Sequence, residues 1–330
     1  MMNQSKPMPM PMPMPMPTPT PTPTPIPQPI SIPSVDNHIE ISQIEIDQKV
    51  YDLYDEYCHG TMDKREFLSR SSKLVAGGLL MAQALLPQYV QAQTISFTDT
   101  RIKARYITYP SPGGSSGQMR GYLVQPSGNG PFPVVLIIHE NRGLNPYIED
   151  VARRAAVEGF MALAPDGLFP LGGYPGNDDE GRLLQASLDQ QKLRTDMLNS
   201  ARYLKSLPMS NAKLGITGFC WGGSTTNYLA AEMGAEVLAC APYYGAAAAT
   251  TSVPKIKAHM LINYAEKDDN INSMWPAYET ALKEARVDYQ AFVYPDTLHG
   301  FHNNSTPRYN PDAAQLSWER TIALFRKHLT

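Results

Sequence analysis

The chain has 330 residues, of which 42% are hydrophobic and 18% are charged, and its formal net charge is −3. This composition is typical of a globular protein, and the small negative charge predicts no basic surface for a nucleic-acid partner. The cysteines are too few and too scattered for a disulfide framework or a metal cluster, and their odd number leaves at least one thiol free; they are Cys58, Cys220 and Cys240.

The N-terminal part of the chain differs in composition from the rest. From Pro7 to Pro29 proline occupies every odd position, alternating with Met and then mostly with Thr. Such a run has few backbone donors and no apolar periodicity, so we expect residues 1–35 to form a polyproline or disordered leader. Residues 36–92 would form an amphipathic segment followed by a signal region, and residues 93–330 a single α/β domain.

The signal region resembles an export signal. Ile39–Tyr57 could form an amphipathic helix, and K-R-x-F-L from Lys64 resembles a twin-arginine signal with lysine in the first position. The apolar run Leu74–Leu86 is about 13 residues, shorter than the roughly 20 of a membrane span, and small residues at Val90 and Ala92 fit a cleavage site. We therefore expect export, periplasmic or secreted; the alternative is a cytoplasmic protein whose N-terminal helix packs on the domain.

After residue 93, strand and helix patterns alternate along the chain. A hairpin at the edge of a sheet is expected from Arg105–Tyr109 and Met119–Gln125. The later strands are expected at Val134–Ile138, Phe160–Pro165, Leu214–Phe219, Val237–Tyr244, His259–Tyr264 and Tyr289–Tyr294. The helices are expected at Ile148–Glu158, Leu183–Leu207, Ser224–Glu232, Met274–Arg286 and Pro311–His328, and the loop Gly167–Gly181 as a substrate cap. This order predicts an α/β-hydrolase fold, a mostly parallel sheet with helices on both faces.

Cys220 lies at the turn between a predicted strand and a predicted helix, with Gly218, Gly222 and Gly223 around it. The pattern G-x-C-x-G is a nucleophile elbow in which cysteine replaces serine. Such a turn raises the side chain above the sheet and points the N-terminus of the next helix at it, which favours a thiolate and a developing oxyanion. The alternative is an inert buried thiol, which we expect for Cys240 instead.

In this fold an acid follows a later strand and a histidine follows the last strand. Asp268 comes after the predicted strand that begins at His259, and His299 comes after the last strand. Because the ends of these strands meet at one edge of the sheet, Cys220, Asp268 and His299 can converge. Sequence spacing leaves three alternatives open, Asp269 or Asp296 as the acid and His302 as the base.

With these residues in place, the chain resembles the dienelactone hydrolase (carboxymethylenebutenolidase) family over roughly Arg105–Thr330. The resemblance rests on four strings, HENRGL at 139–144, GFCWGG at 218–223, YAEKDDNIN at 264–272 and HGFHN at 299–303. It implies that Cys220 is the nucleophile, Asp268 the acid and His299 the base. It also implies that Glu140 meets the thiol and takes its proton when substrate binds; a carboxylate there would raise the thiol pKa at rest.

The family resemblance also suggests how substrate is held. The backbone N–H groups of Trp221 and Asn141 would form the oxyanion hole. Family members bind an anionic lactone through arginines, for which Arg308 and Arg182 are the candidates, and Tyr244, Tyr243 and Trp221 would line the pocket. Both arginines could equally be surface charges.

We therefore expect a cysteine-dependent hydrolase of carboxylic esters or lactones that works through an acyl-enzyme. No sequence motif suggests a metal or cofactor, so none is expected. The alternatives are a general carboxylesterase or thioesterase on the same site, and a non-catalytic binding protein of this fold. The sequence does not determine the oligomeric state.

Overall fold

The computed structural model describes residues 47, 49, 50, 53, 64–78 and 94–330. The proline-rich leader, most of the helix expected over Ile39–Tyr57 and the cleavage site at 90–92 lie outside these residues. The basic start of the expected signal forms helix α1 (Lys64–Leu74), on which Phe67 and Ser71, one turn apart, are fully buried. Among the described residues no helix combines the length and the apolar character that crossing a bilayer requires. Export stays a prediction.

Among the described residues the strands are β1 (Ile102–Ser111), β2 (Gly117–Pro126), β3 (Phe132–Ile138), β4 (Met161–Pro165), β5 (Ser210–Phe219), β6 (Ala239–Tyr243), β7 (His259–Lys267) and β8 (Tyr289–Leu298). These eight strands form one sheet in the order β1-β2-β4-β3-β5-β6-β7-β8. Strand β2 is antiparallel to its neighbours β1 and β4, and all other neighbouring strands pair in parallel. The predicted edge hairpin and the mostly parallel sheet are therefore confirmed.

Helices cover both faces of the sheet because its central strands bury side chains on both sides. On β3, Val134, Leu136 and Ile138 belong to one apolar core, while Val135 and Ile137 belong to the other. The helices after α1 are α2 (Pro146–Val157), α3 (Asp178–Ser187), α4 (Gln190–Ser206), α5 (Trp221–Met233), α6 (Asp269–Asn272), α7 (Trp275–Glu284) and α8 (Pro311–Leu329). The first core includes side chains of α4, α5 and α7, and the second includes side chains of α2 and α8.

The single helix expected over Leu183–Leu207 is wrong, because the chain breaks there into α3 and α4. Leu188 is extended, with φ −78° and ψ 151°, and the carboxylate of Asp189 accepts hydrogen bonds from the N–H groups of Gln191 (2.9 Å) and Lys192 (3.1 Å). An aspartate that caps a new helix outweighs apolar spacing that would have continued the old one. Helix α3 also occupies the end of the loop expected over Gly167–Gly181.

The first residues of the α/β domain are anchored to α2. The carboxylate of Asp150, which is fully buried, accepts hydrogen bonds from the N–H groups of Thr94 (2.9 Å) and Ile95 (2.8 Å). Arg153 Nε donates to the carbonyl oxygen of Ile95 at 2.6 Å. Residues 94 and 95 are thus held on α2, and the domain boundary expected at residue 93 stays a prediction.

Candidate active site

Cys220 occupies the single residue between β5 and α5, in a strained conformation with φ 56° and ψ −113°. Backbone geometry of this kind costs a non-glycine residue of the order of 1–3 kcal/mol, so surrounding contacts must hold it. The N–H of Cys220 donates to the carbonyl oxygen of Tyr243 on the neighbouring strand (3.1 Å), and its carbonyl accepts from the N–H of Ser224 (3.0 Å). The predicted elbow is therefore present, and the thiol is partly exposed at its tip.

The three glycines of the elbow are required by close packing. A Cβ at Gly218 would overlap the carbonyl oxygen of Gly222, one at Gly222 would overlap that of Ile138, and one at Gly223 would overlap that of Tyr243. None of the three has a positive φ, whereas Cys220 does. The strained backbone conformation is therefore that of Cys220. The glycines, which have no Cβ, leave the space in which β3, β6 and α5 pack closely around the turn.

Strand pairing brings Asp268 and His299 side by side. In the parallel pair β7–β8, Lys267 lies opposite Leu298, so the next residues of the two strands leave the sheet together. The register shifts between Ala265 and Lys267, where β8 contains two more residues than β7. Without that irregularity Thr297 would lie beside Asp268, so the bulge in β8 places the histidine.

Asp268 and His299 form a buried hydrogen-bonded pair. Nδ1 of His299 lies 2.7 Å from Oδ2 of Asp268, and the other carboxylate oxygen accepts from the N–H of Ile271 at 3.4 Å, capping α6. Asp269 is exposed as the first residue of α6. Of the two adjacent aspartates, the structure therefore brings Asp268 to the histidine and leaves Asp269 outside.

His299 also interacts with the thiol. Burial lowers the pKa of His299, but the charges of Asp268 and Cys220, with a hydrogen bond to each, outweigh it and hold the pKa well above its ordinary value. Since Nδ1 faces Asp268, Nε2 is the nitrogen available to the thiol. Asp268 is hydrogen-bonded to His299, and His299 and Cys220 line the same cavity, so the two charges together favour the protonated imidazole.

Cys220 and His299 open on a cavity of about 290 Å³, which we call the thiol cavity. Most of its wall is apolar, with Ala246, Ile271 and Met274 on one side. The predicted oxyanion-hole residues Asn141 and Trp221 and the predicted pocket residue Tyr244 also line the cavity. Ser224 and Asn270 complete its polar lining. Trp221 is the first residue of α5, and the N–H groups of a first helical turn have no intrahelical acceptor.

Glu140 is buried close to the thiol cavity but is held by another residue. Its Oε2 accepts a hydrogen bond from Nδ2 of Asn303 at 2.8 Å. Burial chiefly raises the pKa of Tyr244, and the charges of Glu140 and Cys220 raise it further, which places both near that phenol. Asn303, the last residue of the HGFHN string, is a site residue that the sequence prediction missed; its place in that string was the available signal.

His139 is a second residue that the sequence prediction missed. It is fully buried, and its burial lowers the imidazole pKa. Nε2 accepts from the N–H of Gly167 (3.2 Å), so Nδ1 carries the proton and donates to the carbonyl oxygen of Glu140 (2.6 Å). The ring also stacks on Trp221, with centroids 5.5 Å apart. In a trans peptide C=O and N–H point in opposite directions, so His139 fixes the direction of the Asn141 N–H.

The two predicted substrate arginines are both buried. Neither Arg182 nor Arg308 is among the described residues that line it, and Arg308 packs against the backbone of Gly300. Their role toward substrate stays a prediction. Tyr243, also expected in the pocket, is fully buried and does not line the cavity.

The remaining rivals for the catalytic roles lie elsewhere. His302 is buried among aromatic rings with Nδ1 2.7 Å from the hydroxyl of Tyr147, and burial lowers its pKa well below the ordinary value. Asp296 is exposed and lies 3.5 Å from Nζ of Lys267. Cys240 is fully buried in β6, and burial raises its pKa far above the ordinary value, as expected of an inert thiol.

Comparisons with known proteins agree with this architecture. The model of the "Dienelactone hydrolase family" matches residues 119–329, and one described as "YqhI-like" matches residues 41–76. YghX of Escherichia coli, provisionally named a hydrolase fragment, is 59% identical over 112 residues, which make up 34% of this chain and 95% of that protein. A Synechocystis protein provisionally named a carboxymethylenebutenolidase is 31% identical over 246 residues, 69% of this chain and 98% of that protein.

A solved structure shows the same fold. A protein from Klebsiella pneumoniae, provisionally titled a dienelactone hydrolase, superposes with a TM-score of 0.60 at 26% identity. The match covers 69% of this chain and 99% of that chain.

Proposed function

The chain belongs to the dienelactone hydrolase family and is a hydrolase; from this premise we propose that it cleaves carboxylic esters or lactones through a Cys220–His299–Asp268 triad. The observation that carries the proposal is the buried Asp268–His299 hydrogen bond next to a thiol on a strained elbow, with His299 and Cys220 lining the same cavity. A nucleophile, an oriented base and a cavity with backbone donors are what acyl transfer requires.

The reaction begins with the thiol proton. In the resting site Glu140 is held by Asn303. Bound substrate releases Glu140, which takes the thiol proton, as the family resemblance implies. The thiolate then attacks the carbonyl carbon, forming a C–S bond, and the charge that develops on the carbonyl oxygen is stabilised by the N–H groups of Trp221 and Asn141.

His299 supplies and recovers the proton of the leaving group. Its raised pKa keeps the imidazolium populated, so it protonates the alkoxide as the ester C–O bond breaks. In the second half-reaction His299 takes a proton from water, which attacks the thioester carbonyl and breaks the C–S bond. Glu140 then returns its proton to Cys220, and all groups are restored. Asp268 stabilises the imidazolium and holds Nε2 toward the sulfur.

The test is hydrolysis of p-nitrophenyl acetate and of a dienelactone by the wild type and by Cys220→Ala. We expect the wild type to turn over at least one of them and Cys220→Ala to lose that activity, while Cys240→Ala, which removes the inert thiol, retains it. Mass spectrometry of wild type mixed rapidly with p-nitrophenyl acetate should detect one acetyl group, on the peptide that contains Cys220.

Three outcomes separate the alternatives. Turnover of p-nitrophenyl acetate with no action on the dienelactone would identify a general carboxylesterase. Tight binding of a dienelactone without turnover of either ester would identify a binding protein. Activity retained in Cys220→Ala would contradict the triad.

A further inference from the structure

A second cavity adjoins the thiol cavity. It has a volume of about 260 Å³, and we call it the alanine cavity because the run Ala246–Ala249, between β6 and the next helical turn, forms one of its walls. Tyr228 and Ala231 of α5 form another. Ser224 and Ala246 line both cavities, and they are joined by a hydrogen bond from the Ala246 N–H to Ser224 Oγ (2.8 Å). The two cavities therefore lie side by side at the first turn of α5.

Among the described residues that line the alanine cavity, one, Arg194 on α4, has a charged side chain. Its guanidinium lies over the ring of Tyr228, 5.1 Å from the centroid, which fixes its position. Among the described residues no carboxylate forms an ion pair with Arg194, and its buried Nε has no hydrogen-bond partner. By contrast Arg202, two turns further along α4, pairs with Glu236 at 2.9 Å.

A partly buried guanidinium in an apolar cavity, without an anionic partner among the described residues, is suited to an anionic group of a ligand. The thiol cavity itself is lined by no arginine or lysine of the described chain. We propose that Arg194 binds a carboxylate at the far end of the substrate, with the intervening apolar chain lying along Ser224 and the alanine wall. This inference rests on the proposed ester hydrolysis at Cys220.

The helix sets the length of such a substrate. Tyr228 follows Cys220 by eight residues on α5, which corresponds to roughly 12 Å at the helical rise per residue. The ester carbonyl and the carboxylate must therefore be separated by an extended chain of several methylene groups. The substrate class is the monoester of a medium-chain dicarboxylic acid, and a short diacid would not reach Arg194.

The experiment compares esters that differ either in the distal group or in the length of the chain that carries it. Monomethyl suberate carries a carboxylate and dimethyl suberate does not, while monomethyl succinate carries its carboxylate too close to the ester. We expect the wild type to have a higher kcat/KM for monomethyl suberate than for dimethyl suberate. The kcat/KM for monomethyl suberate divided by that for dimethyl suberate, which we call the suberate ratio, should fall about tenfold or more in Arg194→Met. The reason is that charge-assisted hydrogen bonds to the carboxylate are lost. Monomethyl succinate should show no such advantage in kcat/KM over dimethyl succinate in either protein.

Two further variants make the test independent of folding. Arg202→Met removes an arginine of the same helix that lies outside the cavity, and it should leave the suberate ratio unchanged. Ala249→Glu, at an exposed position of the alanine wall, should lower the ratio as Arg194→Met does, because its carboxylate competes for Arg194.

The outcomes distinguish the role proposed for Arg194 from the ester hydrolysis proposed for Cys220. An equal kcat/KM for both suberate esters in the wild type, or a suberate ratio unaltered in Arg194→Met, would overturn the role of Arg194 and leave ester hydrolysis standing. Failure of the wild type to hydrolyse these esters and p-nitrophenyl acetate alike would overturn both.

Discussion

One oxygen of the Asp268 carboxylate lies 2.7 Å from Nδ1 of His299, while the other caps the short helix that begins at the next residue. The pair is buried, with 3% of Asp268 and 2% of His299 exposed, so neither group is screened by water. A carboxylate in this position fixes the tautomer and orientation of the imidazole and favours its charged form.

Replacement of Asp268 by asparagine should lower kcat/KM for p-nitrophenyl acetate by roughly 10⁴-fold, because the amide favours the wrong imidazole tautomer. The amide oxygen can still accept from the Ile271 N–H, so we expect the helix cap to remain. Asp269→Asn is the matched control; this neighbour is exposed and should keep wild-type kinetics. Equal losses in the two variants would assign the effect to the loop and not to the pair.

The pH dependence of stability should reflect the raised pKa of His299. A folded-state pKa above the ordinary value near 6.5 contributes stability that is fully present below that value and is lost as the pH rises through the folded pKa. The free energy of unfolding in urea of wild type minus that of Asp268→Asn should therefore be largest below about pH 6.5 and shrink as the pH rises above that value. A difference that grows with pH would contradict this direction.

Gly222→Ala tests whether the elbow glycines serve close packing. The added Cβ would overlap the backbone carbonyl of Ile138, which cannot move without shifting β3. We expect a loss of unfolding free energy of roughly 1–3 kcal/mol together with a fall in kcat. Gly117→Ala is the comparison, since it has φ +74° but open space, and it should cost about 1 kcal/mol without affecting turnover. Thermal unfolding and esterase assays of both variants check this.

His139→Phe should lower kcat by roughly 10²-fold with little change in KM, because the Asn141 N–H loses its fixed direction and one oxyanion donor is weakened. The phenyl ring keeps the stacking on Trp221 but removes both hydrogen bonds. His139→Asn provides the control, since its amide nitrogen can replace Nδ1 as donor to the Glu140 carbonyl, and it should recover most of the activity. Equal kcat values in the two variants would show that the hydrogen bond is not what matters.

The strands and the elbow were predictable from sequence because each depends on residues close together in the chain. Apolar runs such as Val134–Ile138 mark strands buried on both faces, and glycines around Cys220 mark a sharp turn. The break between α3 and α4 was missed because the cap at Asp189 favours a new helix while the apolar spacing favours one continuous helix. The sequence alone did not show which of these two signals is stronger.

The sequence by itself determined the fold class and the residues from which the candidate triad is drawn. Only the tertiary structure decided that Asp268 and not Asp269 meets His299, since a bulge in β8 sets which residues emerge together from the sheet. It likewise decided that Asn303 holds Glu140 and that Arg194 lines a cavity beside the thiol. Hydrophobic patterning involves residues close together in the chain and can be read from the sequence. Strand register and side-chain direction depend on residues distant in the chain, so they cannot.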